Sequence, residues 1–339
     1  MKKNKVKPSA IHFLFRKKRS GAHSIEQLFF SIQEEISSKV ETTRYYLPYS
    51  GASFKSILGN LRFGLKHRNK VTHLTGEINY MALVLGSKCV LTIHDIHSAF
   101  GQNKIKNWLI KLLWFWLPAI CVKKITVISA FSKQELSKLI PWAKHKIICI
   151  HNPVNGLVLE SAKFLIGSPT PINGIFKILH LGTKPNKNLE RTIKALEGLP
   201  IELHIIGKLN EKQLDLLNIH KIRYTNACDL TFEEVIQSYL ACDIVCFVST
   251  YEGFGMPVIE AQTLGKPILT SNIASIPEIA LDSAVLIDPF SVKAIREGLL
   301  SLLKNEHLRK EKIVEGYKNI ERFKIQNITE QYINMYNTL

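Results

Sequence analysis

Residues 244–265 read IVCFVSTYEGFGMPVIEAQTLG. Ile244 to Val248 are apolar and β-prone, a length that suits a buried strand. The strand ends in a turn with two glycines, Gly253 and Gly255, and the turn runs into a helical pattern whose Pro257 takes a first-turn position. This is the layout of an anion site in an open α/β sheet. Ligands there lie beyond the carboxyl ends of the strands, and the first N–H groups of the helix, with its dipole, face negative charge. Glu252 and Glu260 bracket the turn. A carboxylate beside such a site repels the anion unless it is aimed at neutral donors, and hydroxyl groups are donors of that kind.

The same alternation runs outward on both sides. Apolar runs of strand length recur near Phe176–Leu181, Leu203–Ile206, Lys221–Tyr224, Pro267–Thr270 and Ala284–Ile287, with helical periods between them. The first half repeats it with Ile11–Phe15, Val71–Leu74, Cys89–Ile93, Ile125–Ile128 and Ile147–Ile150. Ile25, Leu28, Phe29, Ile32 and Ile36 form one apolar helical stripe. Strands that alternate with helices imply parallel sheets, because parallel neighbours cannot be joined by a hairpin. A run of turn formers from Gly167 to Gly174 separates the two series and suits a linker. A chain of 339 residues with 46% hydrophobic content is long enough to bury two cores. The expected fold is therefore α/β with two Rossmann-like doubly wound domains: residues 1–166, a linker at 167–174, residues 175–320, and a C-terminal helix at 321–339 packing back toward the first domain.

The net charge of +17 is unevenly placed. Residues 1–165 carry 26 Lys and Arg against 8 Asp and Glu, a balance of +18, while the remainder carries 19 against 20, a balance of −1. Such one-sided charge attracts polyanions, whether nucleic acid, anionic lipid headgroups or phosphorylated glycans. The stretch KNWLIKLLWFWLPAI (residues 106–120) is too short and too interrupted, by Lys111 and Pro118, to span a bilayer. It reads as a helix facing the core, although Trp108, Trp114, Phe115 and Trp116 beside Lys104, Lys106, Lys123 and Lys124 also suit a membrane interface. The basic segment Met1–Lys7 and the short apolar run after it do not form a secretion signal, so a cytoplasmic protein is expected, peripheral on the inner face of the plasma membrane if the basic half docks there. The six cysteines lack paired metal or disulfide spacings and are expected to be reduced core residues.

The quoted stretch resembles the signature of the family 4 retaining glycosyltransferases, which have the GT-B fold of two Rossmann-like domains facing across a cleft. The resemblance extends through VLTIHDIHSAF (90–100), ITVISAFSKQEL (125–136), IHNPV (150–154), ILHLGTKPNKNLERTIKAL (178–196), KPILTSNIASIPEIA (266–280) and AVLIDPFSVKAI (284–295). The first seventy residues match weakly, as expected where an acceptor binds. The resemblance implies that Glu260 holds the ribose hydroxyls of a nucleotide-diphosphate sugar, that Glu252 holds a hydroxyl of the transferred sugar, and that the amides of Gly253, Phe254, Gly255 and Met256 line sugar and phosphates. Lys187 is the natural phosphate partner, since departure of a nucleoside diphosphate builds negative charge that a fixed cation stabilises. Gly182, Thr183 and Lys184 share its loop. The family often has an arginine here, and Lys184 is the candidate for that second charge. His94, at the carboxyl end of the strand Cys89–Ile93, is implied as a donor-sugar contact. In RSGAHSIE (19–26), Ser24 can cap the first helix and Gly21 can let the backbone approach the diphosphate.

No DxD motif and no cluster with metal-ligand spacing occurs in the sequence, so no metal and no cofactor is expected. The expected partners are the nucleotide sugar, a glycan or lipid-linked acceptor, and an anionic membrane surface, with no nucleic acid. The expected transfer is of a hexosyl or N-acetylhexosaminyl unit in cell-surface polysaccharide assembly. The competing readings are a basic nucleic-acid-binding protein, for which no recognisable motif is present, and a nucleotide-sugar epimerase built from two Rossmann domains. Glu252 and Glu260 around EGFGMP favour transfer.

Overall fold

Strand β1 (Ala10–Phe15) sends Ile11, Phe13 and Phe15 into one buried cluster and Leu14 into another, the period of two that a sheet covered on both faces requires. The structure, a computed structural model, describes residues 10–17, 24–51, 53–96, 101, 103–163 and 175–339. The expected linker 167–174 and Gly21 lie outside the described residues, as does the side chain of Ser24.

The chain divides into two compact units, Met1–Pro153 with Lys324–Leu339, and Val154–Phe323. In the first, β2 (Glu41–Tyr46), β3 (Thr72–Leu74), β4 (Cys89–Ile93), β5 (Lys124–Val127) and β6 (Ile147–Cys149) join β1 in a parallel sheet of order β2-β1-β3-β4-β5-β6. Helix Ser24–Ser37 covers one face, and helix Ile325–Tyr336 packs beside it, with Ile328, Tyr332, Met335 and Tyr336 buried in the cluster around Phe13 and Phe29. The other face buries Leu74, Leu91, Ile125 and Val127 against Met81, Leu85 and Phe115.

In the second unit β7 (Phe176–Leu181), β8 (Ile201–Ile206), β9 (Tyr224–Ala227), β10 (Ile244–Phe247), β11 (Ile268–Ser271) and β12 (Val285–Ile287) form a parallel sheet of order β12-β11-β10-β7-β8-β9. Numbered from the first strand of the unit, that is the 3-2-1-4-5-6 order of a dinucleotide-binding sheet, whose order reverses between β7 and β10. His180 pairs with Cys246, so both strands end one residue later, at the same level.

The division falls at Pro153 and Val154, ahead of the expected linker, because helix Gly156–Ala162 packs on helices Phe232–Ala241 and Met256–Thr263 of the second unit. The chain enters and leaves this unit side by side, with Val154 N–H donating to the Phe323 carbonyl at 3.0 Å. Two strands differ from expectation. Strand β2, ETTRYY, has no apolar run, and β9 lies three residues beyond the expected Lys221–Tyr224; both are edge strands with mostly half-buried or exposed residues. The cysteines also depart from the core reading. Cys89, Cys242 and Cys246 are buried, Cys121 and Cys149 are half-buried, and Cys228 is exposed beyond β9; all six are free thiols. Among the described residues no helix is long and apolar enough to cross a membrane.

Candidate active site

The loops that follow β7 and β10 leave the sheet where its strand order reverses, the place where open α/β sheets bind ligands. The first begins at Gly182, whose φ of +89° a side chain would strain. After a single 3-10 turn, Pro185–Lys187, Asn188 takes a left-handed conformation and opens helix Leu189–Leu196. Its side-chain amide donates to the Val248 carbonyl at 3.0 Å and the Pro289 carbonyl at 2.7 Å, which ties the loop to the end of β10. Two further bonds lace the loops together: Thr250 N–H to Asn186 O at 2.8 Å, and Asn186 Nδ2 to Tyr251 O at 3.2 Å.

This lacing sets one charged pair. Lys187 Nζ donates to Glu252 Oε1 at 2.6 Å and lies 4.9 Å from the centre of the Phe247 ring. The two side chains keep only 22% and 16% of their surface exposed, so water screens the pair weakly. A Cβ on Gly182 would stand 2.8 Å from Lys187 Cγ, so the bare glycine is what lets the lysine stem pass.

The glycine turn is held from below. The Ser275 hydroxyl lies 2.8 Å from the carbonyls of both Glu252 and Phe254, its one proton shared between them. Gly255 has φ +106°, and a Cβ there would come within 2.5 Å of Ile276 Cδ1. Phe254 is buried edge-on against Phe323, so the turn is anchored in the core on one side. Helix Met256–Thr263 then runs through the interior and carries Glu260 to a position 7% exposed. The Tyr239 hydroxyl donates to Glu260 Oε2 at 2.8 Å. Burial pushes the Glu260 carboxyl up to about 7, against the opposing pull of that bond and of the Lys187 charge. His180, beneath the same loop, is pushed down to about 4 by burial and by Lys187, and is neutral.

The structure thus brings Lys187, Glu252, Glu260, Gly182 and the Gly253–Met256 turn together. Thr183 is turned aside: its hydroxyl donates to Lys208 O at 2.7 Å, opposite Gly207. Lys184 is exposed. His94 belongs to the first unit, where its Nε2 donates to the Thr75 carbonyl at 2.9 Å. Gly76 lets the ring approach, and burial lowers its pKa, which leaves the imidazole neutral with Nδ1 as acceptor. Tyr239, Asn186 and Asn188 were not singled out from the sequence. The asparagines in KPNKN flank the lysine and were the available signal, while Tyr239 looks like any core residue of an amphipathic helix.

Residues 176–319 match the family glycosyl transferases group 1. Over 243 residues the chain is 26% identical to the O-antigen chain mannosyltransferase B of Escherichia coli, covering 64% of this chain and 61% of that protein. The chain spans about three fifths of the length of the curated relatives it matches over the longest stretches. Among solved structures, a glycosyltransferase from Rickettsia africae ESF-5 is similar with TM-score 0.72 at 16% identity, covering 98% of both chains. HepE from Anabaena, in complex with UDP and glucose, is similar with TM-score 0.70 at 14% identity, covering 98% of this chain and 100% of that one. At such identities the likeness is one of fold, and that fold is GT-B, α/β with two Rossmann-like parallel-sheet units.

Proposed function

We propose that the chain, whose residues 176–319 match glycosyl transferases group 1, transfers a hexosyl or N-acetylhexosaminyl unit from a nucleoside-diphosphate sugar to a glycan or lipid-linked acceptor, with retention of anomeric configuration, in bacterial cell-surface polysaccharide assembly. The observation that carries this reading is the Lys187–Glu252 pair at the strand-order reversal, with Glu260 buried behind it. As the bond from the anomeric carbon to the diphosphate breaks, charge grows on the leaving phosphate oxygen, and the fixed Lys187 ammonium offsets it without reorganisation. Glu252 spends one carboxylate oxygen on Lys187, and the other accepts from a hydroxyl of the sugar. Glu260 accepts from the ribose hydroxyls. No residue forms a covalent intermediate.

The name of the related mannosyltransferase puts mannosyl donors first in the panel, and the UDP-glucose complex of HepE puts UDP-glucose second. The experiment is incubation with a panel of radiolabelled nucleotide sugars, read as nucleotide release and, with an acceptor, as proton NMR of the product anomer. One nucleotide sugar should be bound and slowly hydrolysed, with the rate unchanged by chelator. If no nucleotide sugar is bound, the reading fails; an inverted product rejects retention alone.

The membrane part of the proposal rests on the charge split and on Ile105, Trp108 and Leu109, an exposed apolar stripe at helical spacing beside Lys104 and Lys106. Each basic residue near an anionic surface contributes about 1 kcal/mol. Sedimentation with anionic vesicles should exceed that with neutral ones, weaken with salt, and fall in a Lys104→Glu, Lys106→Glu variant. Equal sedimentation with both lipids would reject the docking.

A further inference from the structure

The strand order of the first sheet, β2-β1-β3-β4-β5-β6, reverses between β1 and β3, and beyond the carboxyl ends of those strands lies a cavity of about 160 Å³ that no part of the donor reading uses. Its walls include Arg16, Lys17, Tyr49, Glu77, Tyr80 and Trp114. Three separate features shape it. Asn60, 1% exposed, donates Nδ2 to the Tyr49 carbonyl at 3.1 Å and to the Tyr80 hydroxyl at 2.8 Å, and accepts from Tyr49 N–H at 3.1 Å, so one buried amide fixes two aromatic walls. Gly76 and Glu77 both have positive φ, of 142° and 57°, a costly conformation for a glutamate that puts its carboxylate at the cavity. Trp114 is carried on a π-helix, Lys111–Trp116, a geometry that is rare and concentrated at functional sites. Its indole N–H donates to the Glu77 carbonyl at 3.4 Å and its ring lies 5.6 Å from that of Tyr80.

The charges decide what fits. Arg16 gives its Nε and Nη2 to Glu26 and its Nη1 to Glu77, so its charge is already met by two carboxylates. With Lys17 exposed at its wall, the cavity offers apolar ring surface, the Glu77 carboxylate and one lysine, groups that suit a polyol with one apolar face. We propose that this cavity is an acceptor subsite that takes one pyranose ring, stacked against Trp114 and Tyr49 and donating a hydroxyl to Glu77. The assignment of the ring to the acceptor rests on the transfer reading above; the sugar site itself does not.

The test is saturation-transfer NMR with methyl α-mannopyranoside and the methyl glycosides of glucose, galactose and N-acetylglucosamine. At least one should receive saturation from the wild-type protein, and excess GDP or UDP should leave that signal in place. The signal should fall about tenfold in Trp114→Ala and in Glu77→Gln, the loss of one anchoring contact. Glu77→Gln alters an exposed loop residue and guards against misfolding of the tryptophan variant. Trp142→Ala, which removes an exposed tryptophan outside the cavity, should keep the signal. No signal with any of the four glycosides, displacement by nucleotide, or equal signals in wild type and both cavity variants would overturn the proposal. None of these measurements needs a nucleotide sugar, so failure of the donor panel leaves the result intact and only the acceptor label falls.

Discussion

Glu260 is a buried carboxylate whose task, on the transfer reading, requires charge. Its pKa in the folded protein, about 7, stands above the 4.5 of an exposed glutamate. The protonated form therefore stabilises the fold fully below pH about 4.5, and that contribution is lost as pH rises through about 7. Two outcomes are expected. Nucleotide affinity, measured by calorimetry, should rise about tenfold between pH about 5.5 and about 8, as the ribose gains an anionic acceptor. Glu260→Gln should flatten that dependence, weaken binding, and raise Tm relative to wild type more at the higher pH than at the lower. A pH-independent affinity in the wild type would separate Glu260 from the ribose. Lys187→Ala and Glu252→Gln should each lower kcat by about a hundred to a thousandfold, the usual loss of one fixed electrostatic group, with circular dichroism unchanged. Near-wild-type turnover in either would remove the pair from the chemistry. At this scale the sequence shows the residues proposed to meet the donor, because their spacing around one turn is a local pattern. It hides their partners. Tyr239 lies 21 positions from Glu260, and Arg16 lies 61 from Glu77, so neither contact leaves a local pattern.

Among the elements, the turn into helix Met256–Thr263 is tightly constrained. Gly255 has both a positive φ and a neighbour, Ile276, that a methyl group would strike. Gly255→Ala should cost about 1 to 3 kcal/mol of stability and shift Glu252 away from Lys187, read as a lower Tm together with a fall in transfer. Gly198→Ala, at φ +70° with nothing within 4 Å of the added atom, should show the backbone strain alone and leave transfer as it was. Equal behaviour of the two variants would mean that the turn does not position the pair. Central strands such as β4 and β10 were legible because burial on both faces makes them unbroken apolar runs. Edge strands β2 and β9 were not, since a strand with one neighbour and half-exposed side chains reads as polar loop. The π-helix at Lys111–Trp116 was hidden for a different reason: the same aromatic residues would fill an ordinary helix, and only tertiary packing selects the wider turn.

For the whole molecule, the charge asymmetry and the presence of two α/β units could be read from composition and alternation, but the division at Pro153 could not. It depends on which core accepts helix Gly156–Ala162, and no local pattern records that choice. Helix Ile325–Tyr336, expected to pack back toward the first domain, completes a unit that began more than three hundred residues earlier. Burying a large side chain contributes about 1.5 to 3 kcal/mol, so Ile328, Tyr332, Met335 and Tyr336 together rival the net stability of a domain. Removal of residues 324–339 should therefore unfold the first unit and spare the second: limited proteolysis should leave a resistant fragment near 154–323, where loss of both units together would show that they fold as one. The same arrangement sets an order of events during synthesis. A ribosome makes the 170 residues of the second unit, 154–323, in about ten to thirty seconds, and it does so before the closing helix of the first unit exists. The earlier half of the nascent chain must wait through that interval with the apolar faces of Phe13, Phe29 and Ile32 uncovered, so the part that is made first is the part that finishes last.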